Sequence, residues 1–328
     1  MGQLFKIKHP EVLQGNLSSN HYFEGWYFKL VSKDALTIWA FIVGIALDKK
    51  TKSDHVFIQF FDGLSNEVHY LQYPLEEFSY SKEKFEVKVG QNFFAADKIQ
   101  LNINRDGVQL QGELIFQNLQ PLPKQGIGYN IMGPFVYVPY MECRHCIVSM
   151  DQDIQGTLKL HGINHDFSGG KGYIEKDYGT SFPKAYIWGQ SNHFQKESAS
   201  IIVSVARIPS FGLEFVGFLC VFWWKGNFYR FTTYTHAKLS ELQIQKDFVR
   251  MTIYDKKFEL IIEGHKGEGT ALPSPTAGNM SSRINESLKS ILHVWFYKKS
   301  NKSRELLFED EGIHAGLEIQ ATLKQLGF

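Results

Sequence analysis

The stretch Gly172–Phe194 concentrates the groups most able to do chemistry. Glu175, Lys176, Asp177, Tyr178, Gln190, Asn192 and His193 stand there among the rings of Tyr173, Phe182, Tyr186, Trp188 and Phe194. Ionisable and amide side chains interleaved with aromatic ones are what a mostly apolar pocket with a few orienting groups looks like in sequence. A carboxyl buried beside rings is pushed toward its protonated form, which makes it a usable acid near neutral pH. The competing reading is structural: Glu175 to Tyr178 satisfy loop backbone at a seam between β-units, and His193 is a hydrogen-bonded core histidine. Two further segments carry similar mixtures, Asn20–Phe28 and Pro139–His145.

Other spacings are weaker. Cys143-x-x-Cys146 encloses His145, a pattern of redox pairs and half zinc sites. No βαβ pattern surrounds it and no second Cys/His pair sits at zinc-finger spacing, so these read as structural thiols. His161 and His165 would share a helix face, but Gly162-Ile163-Asn164 between them reads as a turn and the glutamate of H-E-x-x-H is missing. Gly169-Gly170-Lys171-Gly172 lacks the spacing of a phosphate loop, and no G-x-S-x-G elbow marks an esterase nucleophile. We therefore expect no metal and no cofactor.

The elements that must position these groups are strands. Phe85–Val89, Ile99–Ile103 and Val108–Phe116 alternate apolar and polar residues, with Arg105-Asp106-Gly107 as a hairpin turn. Phe215–Trp224 and Phe228–Thr235 flank Lys225-Gly226-Asn227, while Val249–Tyr254 and Lys257–Glu263 flank Asp255. Short strands joined by tight turns predict an all-β chain of barrels or sandwiches, because closure removes exposed edges. One helix is expected, over Ser281–Leu292, and Gly264–Asn279 reads as one long Pro/Gly-rich loop. Phe23–Phe28 and Ala185–Gln190 are both Trp/Gly-bearing aromatic segments that open a β-rich half. The expected division is therefore near residues 181–184, giving domains 1–183 and 184–328.

The chain has 328 residues, a length suited to two domains. Lys+Arg (35) nearly cancels Asp+Glu (34), so no global field recruits nucleic acid. Rings make up 15% of the residues, more than a polar metabolite requires, and point to a hydrophobic small molecule as partner, which leaves room for peripheral membrane contact. The start MGQLFKIKHP has no apolar signal-peptide region, and the most apolar windows, Leu36–Leu47 and Phe215–Trp224, fall short of the about 20 residues that span a bilayer. With only three cysteines, the expected location is cytoplasmic.

Three landmarks then occur in one order. They are Phe23-Glu24-Gly25-Trp26-Tyr27-Phe28; Glu175-Lys176-Asp177-Tyr178-Gly179 with Phe182-Pro183 and Trp188-x-Gln190-x-Asn192; and Pro273-x-Pro275-Thr276, Leu292-x-Val294-Trp295 and Ala315-Gly316-Leu317-Glu318. Together they span nearly the whole chain, which resembles the tocopherol cyclase family. It departs from the plant-like pattern at Asp177-Tyr178, where that pattern has Asn-Trp, and at Arg283, where it has Cys. The resemblance implies two tandem lipocalin-like antiparallel β-barrels, an architecture similar to that of the carotenoid hydratases. It also implies protonation of an isolated prenyl double bond, the tertiary cation being trapped by a phenol hydroxyl or by water, with no redox cofactor or metal.

An alkene is a poor base, so its acid must be held close and dry, and ring faces stabilise the cation by about 0.5–2 kcal/mol each. The candidate acids are Asp177 and Glu175, with His145 or His193 as alternatives. Lys176 either pairs with a carboxylate or points outward. Glu24 is a candidate supporting partner, Trp26, Trp188 and Tyr178 are candidate ring faces, and Gln190 and Asn192 candidate orienting groups. The alternative function is a carrier that sequesters a hydrophobic isoprenoid or lipid unchanged.

Overall fold

The computed structural model describes residues 2–124, 130–139, 141–210, 213–300 and 303–327; Tyr140 of the Pro139–His145 segment lies outside them. The chain falls into two compact units, Met1–Phe182 with Leu272–Arg283, and Pro183–Ala271 with Ile284–Phe328. Among the described residues no helix is long and apolar enough to cross a membrane.

The first unit opens with a meander of β1 (His21–Val31), β2 (Ile38–Asp48), β3 (His55–Asp62) and β4 (Val68–Tyr73). A second meander follows: β5 (Phe78–Tyr80), β6 (Glu86–Val89), β7 (Asn92–Ala95), β8 (Lys98–Arg105) and β9 (Val108–Gln117). The long β10 (Cys143–Leu160), β11 (Ile163–Asp166) and β12 (Gly170–Gly179) complete it. All pairings are antiparallel, in the order β4, β3, β2, β1, β12, β10, β9, β8, β7, β6, β5, with β11 on the far end of β10. β12 thus lies in the middle of the sheet, between β1 and β10.

Side chains alternate across a strand. Trp26, Phe28 and Leu30 of β1, Ile174 of β12 and Cys146 and Val148 of β10 enter one apolar cluster. The same cluster takes Phe60 and Leu71 from one end of the sheet and Phe78, Phe85, Val87 and Phe94 from the other, which a sheet can do only by curling over on itself. Among the described residues no ladder joins β4 to β5.

The second unit is built from β13 (Tyr186–Ser191), β14 (Ala199–Ser210), β15 (Leu213–Trp224), β16 (Asn227–Thr232), β17 (Lys238–Gln245), β18 (Phe248–Tyr254), β19 (Phe258–His265), β20 (Thr270–Thr276), β21 (Asn279–Lys299) and β22 (Arg304–Ile319). Its order is β16, β15, β14, β13, β22, β21, β19, β18, β17, around a separate core that includes Ile187, Phe222, Phe296 and Leu317. The all-β expectation holds, with two large antiparallel sheets.

Two expectations are corrected. Ser281–Leu292 is strand, not helix: it lies within β21, where Leu288, Ser290, Leu292, Val294 and Phe296 are buried at period two. Helix-tolerant residues such as Ser, Glu, Leu and Lys yield there to ladders with β19 and β22. Gly264–Asn279 is not one loop, because Thr270–Thr276 pairs with β21; its two prolines are accepted since this strand lies off the main path of the sheet. The tip of this hairpin belongs to the first unit. Gly278 N donates to Thr180 O at 2.7 Å, Ala277 N to Ser181 Oγ at 2.8 Å, and Asn279 Nδ2 to Ser53 Oγ at 3.1 Å.

Candidate active site

In the ladder of β10 with β12, His145 stands directly opposite Asp177. Period-two alternation puts Tyr173, Glu175 and Asp177 on one face of β12, opposite to the face that carries Ile174 into the core. The result is a continuous array. Tyr173 Oη donates to Glu175 Oε2 at 2.6 Å, and His145 Nδ1 donates to Asp177 Oδ1 at 2.8 Å. On the other ring edge, His145 Nε2 lies 3.3 Å from Glu175 Oε2 but outside hydrogen-bonding geometry. The side chains of His145, Glu175 and Asp177 are 10%, 5% and 25% exposed, so the array is mostly dry and is reached by solvent from the Asp177 end.

Burial alone would lower the basicity of His145, but the flanking carboxylates of Asp177 and Glu175 outweigh it and hold the imidazole well above its ordinary range. Tyr173 is pushed up by burial and then by Glu175, so it stays a neutral donor. The Cys143 thiol, 3.7 Å from Asp177 Oδ1, is likewise raised by burial and by that carboxylate. Groups this close share their protons, which belong to the cluster as a whole.

One ligand atom from each of His145, Glu175 and Asp177 lies within 4.8 Å of the others, the raw material of a small metal site. The imidazole presents opposite ring edges to the two carboxylates.

On the core-facing side of the same strands, Glu24, Trp26 and Tyr178 face Lys176. Lys176 Nζ pairs with Glu24 Oε1 at 2.5 Å, both side chains fully buried, and stands 5.0 and 4.9 Å from the ring centroids of Trp26 and Tyr178. It also donates to Pro10 O and Val12 O, while Glu24 accepts from Gln14 N, Gly15 N and Tyr22 Oη. Trp26 stacks on Phe85 at 5.3 Å and donates from Nε1 to Glu11 O. The ring faces are thus spent on an ammonium, and the carboxylate on anchoring the N-terminal segment.

Cys143 and Cys146 are three apart on a strand and so lie on opposite faces, Cys146 in the core; they are no dithiol pair, and all three cysteines are free. His161 sits at the turn between β10 and β11 with a left-handed backbone, whereas His165 packs on Trp39 at 4.5 Å. The remaining candidates belong to the second unit. Trp188 lies over Gly316, where a Cβ would come within 2.6 Å of the indole. Gln190 is completely buried. His193 Nδ1 is 3.1 Å from Asn192 Oδ1, and its ring packs on His314 at 5.6 Å. Thus Glu175, Asp177 and His145 come together. The part played by Tyr173 as a donor to Glu175 was missed, although an i, i+2 pair on a strand was the available signal.

A profile of the tocopherol cyclase-like family matches residues 123–321, more than half the chain. No curated protein matches it by sequence. Among solved structures, CghA aligns with TM-score 0.55 and 10% identity, covering 93% of this chain and 89% of CghA. CghA with Sch210972 gives 0.56 at the same identity and coverage. Kievitone hydratase from Nectria haematococca aligns at 0.46 with 10% identity, covering 94% of each chain. The likeness to CghA shows a shared fold.

Proposed function

The chain belongs to the tocopherol cyclase-like family, and from that premise we propose that it protonates an isolated double bond of a prenylated quinol or related polyene, the cation being trapped by a phenolic hydroxyl or by water. The observation that supports this reading is the array Tyr173, Glu175, His145, Asp177 on one face of β12 and β10. Asp177 fixes the imidazolium through Nδ1, and in this reading the Nε2 proton, on the ring edge facing Glu175, is the one delivered to the alkene carbon. Glu175, oriented by Tyr173, then receives the proton shed by the attacking hydroxyl and returns it to His145. One O–H and one C=C are exchanged for one C–O and one C–H bond, so atoms and electrons balance without an oxidant.

The test is incubation of the purified protein with a prenylquinol, followed by chromatography and mass spectrometry. Ring closure leaves the mass unchanged and shifts retention, and hydration adds one water. Product that is lost in His145→Gln supports the reading. Ligand recovered bound but unaltered at every pH would make the protein a carrier and overturn it.

A further inference from the structure

Gln59 of β3 is completely buried, yet neither its amide nitrogen nor its amide oxygen has a hydrogen-bond partner among the described residues. The ladders connect it to the proposed acid array. Gln59 stands opposite Ile42 of β2, Ile42 opposite Tyr27 of β1, and Tyr27 opposite Glu175 of β12, so the four share one face. The neighbouring row is Phe57, Gly44, Gly25, Asp177 and His145. In it the Phe57 ring covers paired glycines, since a Cβ on Gly44 would sit 2.8 Å from Phe57 Cζ. Ile42 and Gly25 keep partial exposure between Gln59 and Asp177. Gln152 and Gln190 are equally buried and unpartnered, but Gln152 lies against Gly172 on the core side and Gln190 in the other unit.

We infer that Gln59 is a ligand-binding residue, its carboxamide receiving a neutral hydroxyl or carbonyl of the substrate while the apolar part lies over Gly25 and Ile42. This rests on the reading that the His145 face of the first sheet holds substrate. A carboxamide offers both a donor and an acceptor without charge, and Glu175 in the same row disfavours an anion. Three strand spacings, roughly 14 Å, separate β3 from β12. That separation suits a ring oxygenated at opposite positions, one oxygen directed to the acid array and the other to Gln59.

The experiment compares a prenylated 1,4-quinol with the matching prenylphenol that lacks the distal hydroxyl, binding being followed by quenching of tryptophan fluorescence in the full-length protein. The unaltered protein is expected to bind the quinol about tenfold more tightly, and Gln59→Leu to erase that preference while binding the phenol as before. Gln59→Leu removes an unpartnered buried amide, so its melting temperature should not fall. No discrimination by the unaltered protein, including no binding at all, or full discrimination by Gln59→Leu, overturns the assignment. The readout is binding, so Gln59-dependent selectivity without turnover sinks the proposed reaction and leaves this inference standing. Turnover with unaltered selectivity in Gln59→Leu does the reverse.

Discussion

His145 is held protonated by two carboxylates, and this ties stability to pH in a definite direction. Its folded-state pKa lies above the unfolded value of about 6.5. Below that value both states carry the proton and the stabilisation is complete. As pH rises toward the folded pKa, the unfolded chain has lost a proton that the native state keeps, and the stabilisation erodes by up to about 1.4 kcal/mol per pH unit. Urea titrations from pH 6 to 9 should therefore show the wild type losing stability relative to His145→Gln, and parallel curves would refute the assignment. Activity should hold through that window and fall only once pH passes the folded pKa, because the donor is the imidazolium that the native state keeps. Asp177→Asn should lower kcat by about 10²- to 10⁴-fold and move the alkaline limit to lower pH, as read from the pH profile of kcat. Glu175 and Asp177 were named from the sequence as candidate acids because ionisable and aromatic side chains crowd together around them. Their partner was visible only as an alternative, since His145 meets Asp177 through a register that irregularities between Ile147 and Gln152 help to set, and bulges leave no plain mark in a sequence.

β1 and β12 place Trp26 opposite Lys176, and the outcome is an ion pair closed off by the N-terminal segment. Removing one partner of such a pair strands the other charge in the core. Lys176→Met is expected to cost about 3–5 kcal/mol by chemical denaturation and to render residues 10–15 sensitive to limited proteolysis, whereas the double variant Lys176→Met/Glu24→Gln should recover part of the loss. Equal losses in single and double variants would mean that the lysine acts through packing alone. The sequence offered two readings of Lys176, paired or outward, and composition could not choose between them. The partner lies about 150 positions earlier, and only strand order brings the two together. The same gap explains Ser281–Leu292, whose local preferences permit a helix until the neighbouring ladders are known.

At the level of the whole chain, the two β-rich units are interleaved rather than strictly sequential, because residues 272–283 return to the first unit after most of the second has been made. A Pro- and Gly-rich stretch reads as a loop, so its return could not be seen from composition. What holds it is a tight approach at Gly278, whose φ is +82° and where a Cβ would lie 2.1 Å from Leu47 O. Any other residue meets both a strained backbone and a collision with main chain that no rotamer relieves. Gly278→Val is therefore expected to dislodge the hairpin tip, breaking the hydrogen bonds to Thr180, Ser181 and His21 and costing about 1–3 kcal/mol in the first unit. Amide exchange should locate the damage: protection should drop around residues 21, 47, 180 and 278, while the β18 and β19 amides of the second unit keep theirs. Uniform loss of protection would show instead that the units unfold as one cooperative body, and the hairpin would then serve as a bolt for the entire fold rather than for the unit that carries His145.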